Sequence, residues 1–250
     1  MVRYRILHGA LKKVAVSVAA KFGNEADIEI NGLKMRCRLG DNATETNLLM
    51  RGIEAEAHGI ESIIGELYEG ETFVDIGANC GLYTLHAARS VGRSGRVLAA
   101  EPIPEMLKRL EFNIAANDFG NVQVLRTAVG DTTGHITLHV NTGQFGQSSV
   151  GETEGYEPIN IPVTTLPALV HANGVERIDA MKIDIEGYED RVIMPMLAEM
   201  KPALWPRRIL MEICHRRNWN ADCLSALTDA GYGIVWQSRN DALLQRGLSH

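Results

Sequence analysis

A strand-like apolar run in this chain is followed by residues that have the types and spacing of a ligand-binding turn. Asp75, Gly77, Asn79 and Gly81 alternate along that turn, and an acidic residue, Glu101, follows twenty positions after the last glycine. Glycine lets a backbone bend sharply and approach a ligand closely, because it has no Cβ. A carboxylate at the end of the next strand can accept hydrogen bonds from ribose hydroxyls. The spacing therefore predicts a site for a cofactor that contains a nucleoside.

A second group of ionisable residues is centred on Asp184. Lys182, Asp184 and Glu186 alternate, so in a strand their side chains project to one face, and Glu212 and His215 follow the next strand-like run. Charges at the end of a buried strand are unfavourable unless they are paired or functional. Lys182 could neutralise the acids in a purely structural cluster. Alternatively, Asp184 acts as a general base, or binds Mg²⁺ or another divalent cation together with Glu212.

The acidic residues of the first turn also indicate the type of cofactor. A nicotinamide dinucleotide site favours a third glycine, whereas here Gly81 is followed by Leu82, Tyr83 and Thr84. A carboxylate would also repel a diphosphate, since two negative charges would share one cavity. S-adenosylmethionine carries an ammonium, a sulfonium, a ribose and an adenine, and it has no phosphate. The turn therefore favours S-adenosylmethionine, and a nicotinamide-dependent oxidoreductase is the weaker alternative.

Further residues are candidates for contacts with this cofactor. Asp131 follows Gly130 and either caps a turn or accepts a hydrogen bond from the adenine amino group. Tyr83 lies just after the glycine turn, and Asp184 is a candidate for cofactor binding as well as for catalysis. His215 is either a catalytic partner of Asp184 or a hydrogen-bonded structural histidine.

The residues from about 70 to 215 resemble the FkbM family of S-adenosylmethionine-dependent methyltransferases. The resemblance rests on residues 74–84, 100–102, Asn113, 128–131, Ser148, Ser149, 163–166, 178–189, Glu212 and His215. It implies a class I methyltransferase that methylates hydroxyl groups of sugars, polyketides or related metabolites. The family usually has Leu-Asp where this chain has Leu166-Pro167, and proline fits the first turn of a helix.

Strand-like and helical segments alternate from Glu71 onward. The predicted strands are 73–76, 97–100, 122–126, 181–185 and 209–213, and the predicted helices are 83–91, 105–117, 188–200 and 221–230. Strand-like runs also occupy 135–140 and 159–163, and 232–236 with 243–248 form a terminal pair. The alternation predicts an α/β fold with a Rossmann-like, doubly wound, mostly parallel sheet. Ligands of such sheets bind at the carboxyl ends of strands, where both groups of residues lie.

The chain before this alternation is predicted to form an N-terminal extension, residues 1–68, to a cofactor-binding domain of residues 69–250. The extension contains a basic amphipathic helix before Glu25, a hairpin over 27–39 and helices over 44–67. The basic helix is expected to pack on the domain or on a second subunit of a homodimer, or to lie on an anionic membrane surface. A cleaved signal peptide is least favoured, because the uncharged run 14–20 is short.

The composition bounds the class of protein. The chain has 250 residues, of which 45% are hydrophobic and 22% are charged, as in an ordinary globular protein. A net charge of −6 argues against nucleic acid as a partner. The four cysteines form no CxxC pair, which favours reduced thiols in the cytoplasm. No run approaches the roughly 20 apolar residues that span a bilayer.

The acceptor side of the site is less constrained by the sequence. Residues 141–158, which include Gln147, Ser148 and Ser149, form a polar loop that either binds a hydroxylated small molecule or is simply solvated. This loop and the helices over 44–67 are placed to cover the site and exclude water. A non-catalytic cofactor-binding module is the alternative from another class of protein.

Overall fold

The computed structural model describes residues 24–145 and 155–247. Its helices are α1 (Ala43–Arg51), α2 (Ala57–Ile64), α3 (Leu82–Val91), α4 (Pro104–Ala116), α5 (Leu166–Ala172), α6 (Asp190–Glu199) and α7 (Cys223–Asp229). No helix in these two ranges combines the length and the apolar character needed to cross a lipid bilayer. The predicted basic helix before Glu25 lies outside the described residues, as do Gln147, Ser148 and Ser149 of the predicted acceptor loop.

The strands divide into a hairpin, a central sheet and a small second sheet. They are β1 (Glu25–Ile30), β2 (Leu33–Arg38), β3 (Thr72–Ile76), β4 (Arg96–Ala100), β5 (Val122–Leu125), β6 (Ala128–Gly130), β7 (Gly134–Val140), β8 (Glu157–Thr165), β9 (Ala180–Ile183), β10 (Arg208–Glu212), β11 (Tyr232–Gln237) and β12 (Asp241–Arg246). The described helices and strands of residues 69–247 thus follow the predicted order.

The central sheet has the order β11-β12-β10-β9-β3-β4-β5. The strands from β10 to β5 are parallel to one another, and β12 is antiparallel to both β10 and β11. Phe73, Val74 and Ile76 of β3 are all buried, because helices cover both faces of a parallel sheet. The strand order reverses at β3, which lies between β4 and β9. The predicted Rossmann-like, mostly parallel fold is confirmed.

A second sheet, in the order β6-β8-β7, lies beyond β5 in the chain. The sequence indicated β7 and β8, whereas β6 is only three residues long and gave no recognisable pattern. Helix α5 begins directly after β8, where the Thr165 hydroxyl accepts a hydrogen bond from the Ala168 N–H at 3.3 Å. Pro167 lies in the first turn of α5, as its position in the sequence predicted.

The β1–β2 hairpin turns at Asn31-Gly32 as predicted, and both residues have positive φ angles. It is fastened to α4 by Asn113, whose Oδ1 accepts from the Arg36 N–H at 2.7 Å. The amide nitrogen of Asn113 donates to the Cys80 carbonyl at 2.9 Å, so one side chain joins the hairpin to the turn before α3.

Strand β9 ends earlier than the sequence predicted, at Ile183 rather than at residue 185. Glu186 and Gly187 have φ angles of 58° and 96°, which turn the chain away from the sheet. The prediction that Lys182, Asp184 and Glu186 project from one face of a strand is therefore wrong, because only Lys182 lies in β9. Asp184 and Glu186 belong to a loop at the carboxyl edge of the sheet.

Candidate functional site

A cleft of about 450 Å³ opens at the carboxyl edge of the central sheet, where the strand order reverses. Such a volume lies within the roughly 300–1,000 Å³ of small-molecule sites. The predicted site residues that line it are Gly77, Asn79, Glu101, Asp131, Asp184, Glu186 and Glu212. The predicted residues that do not line it are Asp75, Gly81, Tyr83, Lys182 and His215. Some of the predicted residues thus form the wall of the cleft, and the others lie behind or beside that wall.

The glycine turn is built from left-handed backbone conformations. Gly77, Asn79 and Gly81 have φ angles of 77°, 54° and 97°. Asparagine is one of the few residues with a Cβ that adopts this conformation readily. Gly81 precedes α3, and a Cβ there would lie 2.7 Å from Cδ1 of Leu110. The glycine and asparagine positions of the predicted motif therefore have backbone conformations in which most other residues would be strained.

Glu101 is bonded directly to this turn. Its Oε2 accepts from the Asn79 N–H at 2.8 Å, and its Oε1 accepts from the Ile103 N–H at 2.9 Å. Burial raises the pKa of Glu101 to about 7, although these two N–H groups act in the opposite direction. The carboxyl group lines the cleft with both oxygens already oriented. The two parts of the sequence motif therefore form one hydrogen-bonded unit.

The turn is also held by a residue that sequence reasoning missed. Asn42 is fully buried at the start of α1, and its Nδ2 donates to Oδ1 of Asn79 at 2.8 Å. Its own Oδ1 accepts from the Glu45 N–H at 3.1 Å. The spacing of Asn42 and Glu45 is that of a helix start and could have indicated this cap. The extension thus contacts the glycine turn directly.

Lys182 lies behind the cleft wall and joins its two halves. Its Nζ is 3.2 Å from Oδ2 of Asp184, 3.3 Å from the Gly77 carbonyl oxygen and 4.0 Å from Oδ1 of Asp75. Burial alone would lower the pKa of Lys182, but the carboxylates of Asp184 and Asp75 outweigh it and raise the pKa. The Lys182 ammonium also lies 5.2 Å from the centre of the Tyr83 ring. A buried cation thus holds Asp184 beside the glycine turn.

Asp75 and Tyr83 lie next to Lys182 and have further hydrogen-bond partners of their own. Asp75 is fully buried and accepts from the Thr84 hydroxyl at 2.6 Å, and burial raises its pKa. The Tyr83 hydroxyl donates to Oε2 of Glu56 at 3.2 Å. Glu56 itself lines the cleft and was not among the predicted residues, because it comes from the extension.

Glu186 and Glu212 form an acidic pair that lines the same cleft. Burial raises the pKa of Glu186 to about 8, and the nearby Glu212 carboxylate adds to this shift. Burial likewise raises the pKa of Glu212 to about 8, with a further contribution from Asp184. His215 lies outside the cleft, with its Nε2 3.2 Å from Oε2 of Glu186. The site therefore contains ionisable groups whose pKa values lie near neutrality.

The loop that carries Asp184 and Glu186 is shaped by Glu189. This buried carboxylate accepts from the N–H groups of Ile185 and Gly187 at 3.2 and 3.1 Å. Its second oxygen accepts from the Trp219 ring N–H at 2.7 Å. Glu189 therefore fixes the conformation of the loop, and the bond from Trp219 holds Glu189 in place.

The described residues also bring together a group of possible metal ligands that differs from the predicted pair of Asp184 and Glu212. In the described part of the chain, the group of three possible ligands that lie within 4.8 Å of one another is Glu212, Cys214 and His215. Asp184, which was predicted to bind Mg²⁺ with Glu212, is not in this group. Sulfur and nitrogen atoms do not suit Mg²⁺, which prefers oxygen ligands.

The chemistry of the cleft fits S-adenosylmethionine. Carboxylates of Glu101 and Asp184 suit a ligand with hydroxyl groups and a cationic end, whereas they would repel a diphosphate. Arg191 also lines the cleft, but its guanidinium lies 3.8 Å from the Asp131 carboxylate, which offsets its charge. Apolar side chains such as Ile103 and Leu138 provide a surface for a planar ring.

Comparison with known proteins agrees with this chemistry. The profile of the family described as "Methyltransferase FkbM domain" matches residues 75–234. Methyltransferase sdnD of Sordaria araneosa is 26% identical over an alignment of 203 residues that covers 69% of this chain and 77% of that protein. Hexuronic acid methyltransferase AglP of Haloferax volcanii is 26% identical over 147 residues, or 59% of each chain.

Other curated methyltransferases align over 61 to 66 residues, which is less than a third of their own length. Among solved structures, the Methyltransferase FkbM of Methylobacillus flagellatus KT has a TM-score of 0.51 and 16% identity. That similarity covers 81% of this chain and 53% of the other. At this identity, it supports the fold only.

Proposed function

The chain belongs to the FkbM family of S-adenosylmethionine-dependent methyltransferases, and we propose that it methylates a hydroxyl oxygen of a sugar, a polyketide or a related small metabolite. The observation that carries this proposal is the pairing of Asp184 with Lys182. Asp184 lines the cleft with 42% of its side chain exposed, while its partner is buried behind the wall. The carboxylate is therefore accessible to an acceptor and fixed in position by a cation.

The cofactor would be held by the glycine turn and by the acids beside it. In this arrangement the turn from Asp75 to Gly81 lies beneath the methionine part, and Glu101 accepts hydrogen bonds from the ribose. Asp131 lies at the second sheet, where its carboxylate can accept from the adenine amino group. When bound, S-adenosylmethionine supplies an electrophilic methyl group on a positively charged sulfur.

The residues of the chain then act on the acceptor. Asp184 would take the proton of the acceptor hydroxyl as its oxygen attacks, because an alcohol is a weak nucleophile. Lys182 balances the negative charge of Asp184 before the proton is transferred. The fixed cleft would hold the attacking oxygen, the methyl carbon and the sulfur in line.

The acidic pair offers a specific alternative for proton removal. Glu212 lines the same cleft, and its raised pKa of about 8 suits a general base that works near neutral pH. In a second alternative, a divalent cation such as Mg²⁺ would lower the pKa of the acceptor hydroxyl instead.

The class of acceptor is supported by the polar lining and by one relative. Thr44, Asn47 and Asn240 line the cleft with groups that can bind hydroxyls. AglP, by its name, methylates a hexuronic acid. A hexuronic acid offers both hydroxyl and carboxyl oxygens, so the experiment must distinguish a methyl ether from a methyl ester.

The test is to incubate the protein with methyl-labelled S-adenosylmethionine and separate panels of hexuronic acids, neutral hexoses and polyketide alcohols, with and without EDTA. We expect a labelled methyl ether that resists mild alkali. Alkali-labile label would indicate a methyl ester and contradict the hydroxyl assignment. Tight cofactor binding without transfer to any acceptor would favour the non-catalytic alternative. Loss of transfer in EDTA, restored by Mg²⁺, would favour the metal alternative over Asp184 alone.

A further inference from the structure

Three residues with different ligand atoms meet at the end of β10. Glu212 is the last residue of that strand, and Cys214 and His215 follow in the next loop. One ligand atom from each residue lies within 4.8 Å of the other two. The Cys214 thiol and Oε1 of Glu212 are 3.1 Å apart. A carboxylate oxygen, a sulfur and an imidazole nitrogen are thus close enough to share one ion.

The contacts around Glu212 leave one oxygen unexplained. Its Oε2 is buried and has no hydrogen-bond partner among the described residues. The nearby cation Lys182 is already engaged by Asp184 and Asp75. A buried carboxylate oxygen is unfavourable without a donor or a cation, so this atom points to a ligand.

Glu186 adds a fourth group at the same place. Its Oε2 lies 3.2 Å from Nε2 of His215. Carboxylates beside ligating histidines fix the orientation of the ring and raise its basicity. Glu186 thus lies where a supporting carboxylate is expected for a histidine that binds a metal.

We propose that Glu212, Cys214 and His215 form a binding site for a divalent transition-metal ion of the zinc class. Zinc is bound by sulfur, nitrogen and carboxylate oxygen atoms, whereas Mg²⁺ takes oxygen alone. Three protein ligands leave a fourth position open, as in catalytic zinc sites. The proposal goes beyond methyl transfer, because it requires only that the folded chain binds the ion.

The position of the site connects it to the cleft. Glu212 lines the cleft, whereas Cys214 and His215 line a separate surface groove. Asn240 lines both, so the wall between them is thin at this point. An ion bound there would lie at the edge of the cleft, because its ligand Glu212 belongs to the cleft wall.

The experiment uses the full chain after removal of metals with a chelator. Zn²⁺ is titrated by calorimetry, and Co²⁺ is titrated while the absorption spectrum is recorded. We expect one ion per chain and a charge-transfer band from a thiolate bound to Co²⁺. Mg²⁺ at the same concentration should not displace the ion. Absence of saturable Zn²⁺ binding would overturn the proposal, whatever the methyl-transfer assays show.

Variants locate the ion. Cys214→Ser should abolish the charge-transfer band, and His215→Gln should weaken Zn²⁺ binding by about tenfold or more. His171→Gln, an exposed change on α5, should leave both measurements unchanged. Circular dichroism checks the fold, and if Cys214→Ser is unfolded, the His215→Gln result decides. Wild-type Zn²⁺ affinity in a folded His215→Gln protein, or an unchanged band in folded Cys214→Ser, would rule out this site.

Discussion

A Cβ on Gly77 would lie 2.0 Å from the backbone carbonyl oxygen of Asp184, so the glycine turn and the loop that carries Asp184 pack backbone to backbone. Lys182 strengthens this contact, because its ammonium binds both the Gly77 carbonyl and the Asp184 carboxylate. The backbone that would carry the cofactor and the proposed general base therefore cannot move independently. A Cβ added at Gly77 should therefore also displace the Asp184 backbone.

Gly77→Ala should reduce both cofactor binding and catalysis. The new Cβ meets the Asp184 carbonyl, and the positive φ adds a strain of about 1–2 kcal/mol. We expect at least about a tenfold loss of affinity for S-adenosylmethionine, corresponding to 1.4 kcal/mol or more, measured by calorimetry. Gly120→Ala is the control, because nothing lies within 4 Å of a Cβ at that position. Wild-type affinity in the Gly77 variant would contradict the importance of this close packing.

Asp184→Asn should separate chemistry from binding. The amide keeps the shape of the side chain but cannot accept the proton, so turnover should fall by about 10²–10⁴-fold. Cofactor affinity, measured by calorimetry, should stay close to that of the wild type. The exposed change Asp229→Asn is the control. If Glu212→Gln abolishes turnover while Asp184→Asn does not, the base is Glu212.

Glu101→Ala should weaken cofactor binding, because the ribose hydroxyls would lose their proposed acceptor and the Asn79 and Ile103 N–H groups lose theirs. Glu101→Gln keeps one amide oxygen and should lose less affinity. Titration calorimetry of both variants with S-adenosylmethionine measures the difference. If both variants bind S-adenosylmethionine with wild-type affinity, Glu101 does not bind the cofactor.

The acidic pair should make the ligand-free protein less stable as the pH rises. Glu186 and Glu212 have folded-state pKa values of about 8, above the ordinary value of 4.5. The folded state therefore binds these protons more tightly, and their contribution is full below about pH 4.5 and is lost as the pH rises through about 8. Urea unfolding should show that Glu212→Gln gains stability relative to the wild type between pH 5 and pH 8.5. A difference that does not vary with pH would contradict these shifts.

The sequence predicted the local parts of the site better than the long-range parts. The turn from Asp75 to Gly81 and its acid, Glu101, are encoded in a short stretch, because glycines and apolar strand residues determine it locally. Glu56 and Asn240 reach the cleft from opposite ends of the described chain, and no spacing along the sequence relates them. The end of β9 was misjudged because the turn at Glu186 is held by the Glu189 carboxylate, which accepts a hydrogen bond from the ring N–H of Trp219, thirty residues further along the chain.

Asn113→Ala should reveal how firmly the β1–β2 hairpin is attached to α4 and to the turn before α3. Asn113 is buried, and its loss leaves the Arg36 N–H and the Cys80 carbonyl without their partner, which should lower the free energy of unfolding by about 1–3 kcal/mol. Asn117→Ala is a matched control one helical turn later. Asn117 accepts from the Lys34 N–H and donates to the Lys34 carbonyl, but these two bonds are exposed, so water replaces them. Urea unfolding of both variants measures the difference, and equal losses would show that burial of the Asn113 contacts does not stabilise the attachment.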